Sequence, residues 1–342
     1  MATRLELSRV AAQTKIRGRS LTSDALRRLA RNRAAVIGGA IVFLNILVAF
    51  LSPVVAPKRY DAATLEHSNA TPVWVIKIFP GMKPIEEGGY VAVNNRYVLG
   101  ADKLGRDLLS RIIYGARISL SVGFIGPTIS MIIGLAVGLV AGFNGGRVDN
   151  ILMRLVDIMY AFPTMLLIIL LMAFFRAGFG RERAGALVSA LSKLDTAMGG
   201  LLFIFIGIGL TAWMGAARLV RGQVLSVRES EYVLAARTIG APTPRIILRH
   251  VLPNVIGPLI ITETLAIPGY IAYEAFLSFI GLGVNPPTPS WGGMIAEGAD
   301  RIQSYPNQAL FPALALFVLM FSFNFLGDGL RDALDPTLQG RE

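Results

Sequence analysis

Glu263 and Glu274 are the only charged residues in the apolar run Val255–Val284. An ionisable side chain at membrane depth is expensive unless it faces a bundle interior or a water-filled cavity, so both are candidates for a translocation path. They lie 11 residues apart, close to three helical turns, which places them on roughly the same side of a straight helix. The competing reading is pairing with a neighbouring span or, for Glu263, a place near a helix end. Asn324 is a third polar candidate for the interior, and Asp157 follows Arg154 at the spacing of a local ion pair. Bond chemistry has little to work with. The glycine-rich stretches "GFNGGRVDN" and "GFGRERAG" lack the Gly-Lys-Ser/Thr ending that cradles nucleotide phosphates, and no H-E-x-x-H or G-x-S-x-G is present. There is no cysteine, and His67 and His250 are the only histidines, so no thiolate or histidine-rich metal centre is expected. The expectation is no catalytic residue, no metal ligand and no cofactor on this chain.

A second pattern lies in "EYVLAARTIGAPTPRIILRHVLPN", Glu231 to Asn254. Tyr232, Ala235, Ala236 and Ile239 recur at i, i+3, i+4 and i+7, one face of a short helix. Gly240 supplies a stop, and Thr243 before Pro244 reads as an N-cap with proline in the first helical position. A second short helix is expected from Pro244 to about Leu252, with Ile246, Ile247 and Val251 on one side and Arg245 and Arg249 on another. Pro253 is expected to end it. Helices this short are marginal in water and must bury an apolar face, either under the spans or in a groove on a partner. A DNA-binding helix-turn-helix is disfavoured, because both ends are tied to apolar runs, and no nucleic-acid partner is expected.

The elements that position these residues are membrane spans. The chain has 342 residues, 54% hydrophobic and 16% charged, well short of the roughly one-quarter charge of soluble domains. Six runs reach spanning length: Ala34–Val55, Ile118–Phe143, Ile151–Phe175, Gly199–Leu219, Val255–Val284 and Leu310–Leu326. The expected fold is therefore all-α with six transmembrane helices. The net charge of +11 reflects Lys and Arg gathered on the cytoplasmic side, and it favours both termini inside. The expected layout is a basic tail over 1–33, a first span over 34–55, an outer loop with an interfacial helix over 56–117, a five-helix core over 118–328 that contains the segment 231–254, and a C-terminal tail over 329–342. Gly134, Gly138 and Gly142 recur every four residues in "GLAVGLVAG", the spacing of close helix packing. In "GLGVNPPTPSWGG" the prolines stiffen an outer loop, and Trp291 is expected at the interface belt.

The segment 231–254 resembles the EAA loop of the transmembrane subunits of bacterial ABC importers. Ala235, Ala236, Gly240, Leu252 and Pro253 fall at matching places, with Leu234 where Glu is usual and His250 where Ile is usual. "DALRRLARNRAAVIG", "GADKLGRDLLSRIIYGARISLSVG" and "EAFLSFIGLGVNPPTPSWGGMI" are similar to the C-type permease subunits of dipeptide, oligopeptide and nickel importers. The resemblance implies a type I importer permease fold in the bacterial inner membrane, and a function in peptide import, with nickel or oligosaccharide as alternative cargo. It implies a second, different permease subunit, two ATP-binding subunits that carry the ATP and Mg, and an extracytoplasmic binding protein. Tyr232, Ala235, Ala236, Arg237, Gly240, Ala241, Arg245, Leu252 and Pro253 would then couple to the ATPases. Arg106, Asp107, Pro287 and Trp291 would be candidates for docking the binding protein. The other readings are an ion-driven secondary transporter, which would want paired intramembrane charges and inverted repeats, and a membrane-embedded enzyme.

Overall fold

The computed structural model describes residues 21–178 and 186–334, so both tail ends and part of the Arg-bearing loop after Phe175 lie outside the described residues. The helices are α1 (Leu21–Arg31), α2 (Arg33–Phe50), α3 (Leu108–Asn144), α4 (Gly146–Tyr160), α5 (Thr164–Gly178) and α6 (Ala186–Ala197). They continue with α7 (Leu202–Arg228), α8 (Glu231–Thr238), α9 (Thr243–Phe279), α10 (Trp291–Ala299) and α11 (Asn307–Leu334). Among the described residues, α2, α3, α7, α9 and α11 are long and apolar enough to cross a bilayer, and α4 with α5 makes a sixth if that pair, bent by 80°, counts as one span.

Three boundaries differ from the sequence expectation, each for a local reason. The run Ile151–Phe175 is broken after Tyr160, because Pro163 has no N–H to give and pushes Phe162 out of helical geometry. The expected interfacial helix and second span are one 37-residue helix, α3, started by Asp107, whose carboxylate accepts from the Ser110 backbone N–H at 2.7 Å. Pro253 does not end a helix. A π-type turn over Ile247–Val251 widens the backbone just before it, and α9 runs on through Pro253, Pro258 and Pro268 to Phe279.

The core of the bundle is the α3–α7 pair. A Cβ on Gly138 would sit 2.6 Å from Val220 Cβ and 2.7 Å from the Ala217 carbonyl oxygen, and one on Gly142 would sit 2.8 Å from Val224 Cβ. The glycine stripe therefore packs backbone against backbone over Ala216, Ala217, Val220 and Val224, the close-packing reading of its spacing. The outer segment 56–107 folds into turns and short helical pieces, Leu65–His67, Val73–Ile78 and Ile85–Glu87, with isolated bridges such as Thr71 with Val93 and Pro84 with Val91. It is fastened to α11, where Gln308 donates to Asn69 Oδ1 at 3.0 Å and the Ala101 carbonyl at 3.1 Å, and Asn307 to the Leu99 carbonyl at 3.0 Å.

Candidate functional site

The segment 231–254 is an elbow. α8 closes with a glycine motif: Gly240 takes φ +79°, its N–H reaches the Arg237 carbonyl at 2.9 Å, and the Ala241 N–H reaches the Ala236 carbonyl at 3.0 Å. Pro242, not Thr243, is the cap of the following helix, with Thr243 already in its first turn. The elbow divides its apolar residues between two sides. Val233, Ala236, Ile246 and Val251 are buried in one cluster with Val220, Val224, Val255 and Leu259, which welds α8 to the ends of α7 and α9. Arg237 also lies over the Phe143 ring at the end of α3. The other side is uncovered: Tyr232 is 47% exposed, Ile239 84% and Leu248 64%. Of the four residues expected on the buried face, only Ala236 is inside. Ala235, Arg237, Arg245 and Pro253 are exposed, and Ala241 and Leu252 are half-buried.

Glu263 and Glu274 are enclosed rather than open to a path, 4% and 0% exposed. Glu274 Oε1 accepts from Ser278 Oγ at 2.6 Å and Oε2 from Ser119 Oγ at 3.4 Å. Glu263 Oε2 accepts from Tyr270 Oη at 3.0 Å. Ser130 Oγ lies 2.9 Å from Glu263 Oε1 and 3.1 Å from the Ala212 carbonyl oxygen, so its one proton serves one of them at a time. Ser119 and Ser130 on α3 have the same 11-residue spacing as the two glutamates on α9, so the antiparallel helices are clasped at two points three turns apart. Replacing Glu274 by leucine leaves the facing serine hydroxyls without their acceptor and is expected to cost about 1–3 kcal/mol. Glu274→Gln, which can still accept, should cost less. Thermal unfolding of the purified chain measures both, and a leucine variant as stable as wild type would refute the clasp. Asn324 is exposed on α11 and does not join the glutamates.

A groove of about 370 Å³ does open beside Glu263, between α4–α5, α7 and α9. Its polar lining comes from Tyr160, Thr164, Thr211, Tyr270 and Tyr273. These residues are spread over four helices and more than a hundred positions of sequence. The only trace of them in the sequence is a hydroxyl inside an otherwise apolar run. Asp157 at the end of α4 pairs with Arg218 of α7 at 2.5 Å, not with Arg154, because α4 packs along α7.

Three of the four docking candidates are interior. Trp291 is 1% exposed, donates Nε1–H to the Ile112 carbonyl at 2.9 Å and lies against Gly115, so it anchors α10 to α3 instead of lying at an interface belt. Asp107 is the cap of α3. Arg106 pairs with Asp102 at 2.6 Å and Glu297 at 3.0 Å, in a cluster that Arg111 completes by bonding the same two carboxylates. Pro287 alone is exposed.

Residues 134–340 match the family described as the binding-protein-dependent transport system inner membrane component, and residues 20–72 match the N-terminal transmembrane domain of oligopeptide transport permease C. The oligopeptide transport system permease protein OppC of Bacillus subtilis is 39% identical over 94% of this chain and 91% of that protein. The dipeptide transport system permease protein DppC of the same organism is 38% identical over 98% and 91%, and the OppC of Escherichia coli K12 is 37% identical over 96% of each. Among solved structures, the inward-facing MetNI methionine ABC transporter aligns with a TM-score of 0.51 at 18% identity, covering 67% of this chain and 98% of that one, a likeness of fold. The chain belongs to the binding-protein-dependent transport family as an ABC importer permease, a multi-pass protein of the bacterial inner membrane.

Proposed function

We propose that this permease is one half of the membrane path of an ATP-driven peptide importer, with the elbow Glu231–Asn254 as its coupling element. Its relatives are named as oligopeptide and dipeptide permeases over almost their whole length, which supports peptides as the cargo. The carrying observation is the division of apolar residues in the elbow. One side is welded to α7 and α9, while Tyr232, Ile239 and Leu248 stand bare. A helix held rigidly to the spans and bare on its far side can transmit a push from whatever seats it. The occupant proposed is a groove on one of two ATP-binding subunits, which together hold the ATP and Mg, leaving this chain without catalysis. A second, different permease subunit closes the path, and a binding protein delivers cargo from outside. The Lys and Arg balance favours both termini inside, an orientation that puts the elbow on the cytoplasmic side. An ion-driven mechanism would want its carboxylates accessible from the path, and Glu263 and Glu274 are enclosed.

The test is the double variant Tyr232→Glu with Ile239→Glu in the intact transporter. Both side chains are exposed, so the fold is spared, while two charges enter the seat. The expected result is loss of the ATP-binding subunits on co-purification and a fall in peptide uptake of roughly tenfold or more, the effect of removing central interface anchors. Retention of both ATPases together with wild-type uptake would sink the proposal.

A further inference from the structure

We infer that the groove between α4–α5, α7 and α9 is this chain's share of the cargo site, and that it grips the peptide backbone through hydroxyl groups while ignoring side-chain charge. The inference rests on the peptide-import reading and names the site for it. The lining of the groove sets what can occupy it. Its wall carries the hydroxyls of Tyr160, Thr164, Thr211, Tyr270 and Tyr273 on helices that are otherwise apolar. Hydroxyls at membrane depth are better paired with a polar group than turned to lipid, which favours a polar occupant for this space.

The hydrogen-bond states of these hydroxyls say what fits. Thr211 Oγ1 donates to the Gly207 carbonyl of its own helix at 3.0 Å, and Tyr270 donates to Glu263 at 3.0 Å. With their protons committed, both present oxygen lone pairs, which accept an incoming N–H. Glu263 has a role the sequence did not suggest: it is a positioning residue that holds Tyr270 in the accepting state. The Tyr160 and Tyr273 hydroxyls make no hydrogen bond within the described chain, so they are free to donate to a carbonyl or to accept. Tyr160 is also set by Arg218, whose guanidinium lies 4.1 Å from its ring centroid. Fixed acceptors beside free donors complement the peptide unit, which offers one N–H and one C=O per residue whatever its side chain. No lining residue of the groove is charged, and the rest of the wall is apolar or glycine, with Ile208, Met214 and Leu265 its larger side chains. A site of this kind gives purchase on any sequence and selects none. At about 370 Å³ it holds a short stretch of chain, at the small end of ligand pockets, as expected of one wall of a two-subunit path.

The experiment uses the complete importer in liposomes with a tripeptide cargo and the same tripeptide N-methylated at its amides, each at a concentration that saturates the binding protein. The triple variant Tyr160→Phe, Thr211→Val, Tyr273→Phe is compared with wild type and with Thr211→Ser, which keeps a hydroxyl at that position. Wild type should carry the unmethylated peptide faster than the methylated one. The triple variant should co-purify with its partners, lose uptake by about tenfold, as removal of two or three hydrogen bonds implies, and lose the preference between the two cargoes. Thr211→Ser should retain wild-type uptake. An assembled triple variant that imports at the wild-type rate overturns the inference. So does a triple variant that no longer assembles, because the groove would then be a contact between subunits. If wild type itself imports no peptide with ATP, the proposed function fails first, an outcome distinct from either.

Discussion

Gly138→Leu is expected to prevent α3 and α7 from pairing. The Cβ alone would lie 2.6 Å from Val220 Cβ and 2.7 Å from the Ala217 carbonyl oxygen, before any of the remaining side chain is placed. The Val220 side chain could turn away, but a helix carbonyl cannot retreat without giving up its own hydrogen bond. Overpacking of a core usually costs about 1–3 kcal/mol because side chains yield; against backbone the helices must separate, and the loss should reach the top of that range or beyond. Gly222, on the same α7, is the internal control, since a Cβ there meets nothing within 4 Å. Gly222→Ala should be neutral or should stabilise by up to about 1 kcal/mol through helix propensity. Thermal unfolding and expression of the purified chain report both. Equal behaviour of Gly138→Leu and Gly222→Ala would rule out close packing of α7 on the glycine stripe.

That contrast shows which parts of the structure a linear pattern carries. The stripe Gly134, Gly138 and Gly142 was legible because small residues at helical spacing have one common use at a helix crossing, and Ala216, Ala217 and Val220 meet it. Gly240 was legible because its φ of +79° is a local backbone requirement that the sequence states directly. The elbow's faces were less so. Tyr232, Ala236 and Ile239 share one stripe by periodicity, yet only Ala236 of them is buried and Val233, off the stripe, joins it, because the choice depends on where α7 and α9 end in space. Helical period gives a stripe but not its partner. Trp291 and Arg106 show the same limit for the outer loops: residue type suggested a surface role, while contacts across almost two hundred positions, Trp291 to Ile112 and Arg106 to Glu297, place them inside. The groove left no periodic signal, since each of its three walls contributes one or two hydroxyls.

Arg111→Met should be strongly destabilising on the outer side of the bundle. Asp102, Arg106, Arg111 and Glu297 form a closed group of two cations and two carboxylates, with side chains 6%, 5%, 3% and 31% exposed. Arg111 bonds Asp102 and reaches Glu297 at 2.8 Å, while Arg106 bonds Asp102 at 2.6 Å and Glu297 at 3.0 Å. The group ties three parts of the chain together: the loop before α3, the first turn of α3, and α10. Methionine fills much of the volume, so packing is not the issue; charge is. With Arg111 gone, two carboxylates face one guanidinium, and Asp102, which water scarcely reaches, loses one of its two cations. Breaking a buried ion group in this way costs about 3–5 kcal/mol, far more than an intact pair contributes against an apolar substitute. The asymmetry gives the check. Adding Glu297→Gln to Arg111→Met returns the group to one cation and one carboxylate, and should recover a large part of the stability. A cavity effect would respond differently, since Glu297→Gln restores no volume and the double variant would stay as unstable as the single one. Unfolding temperatures of the two variants decide between these, and recovery in the double variant would establish that neutrality of this group, not its shape, holds α10 against the head of α3.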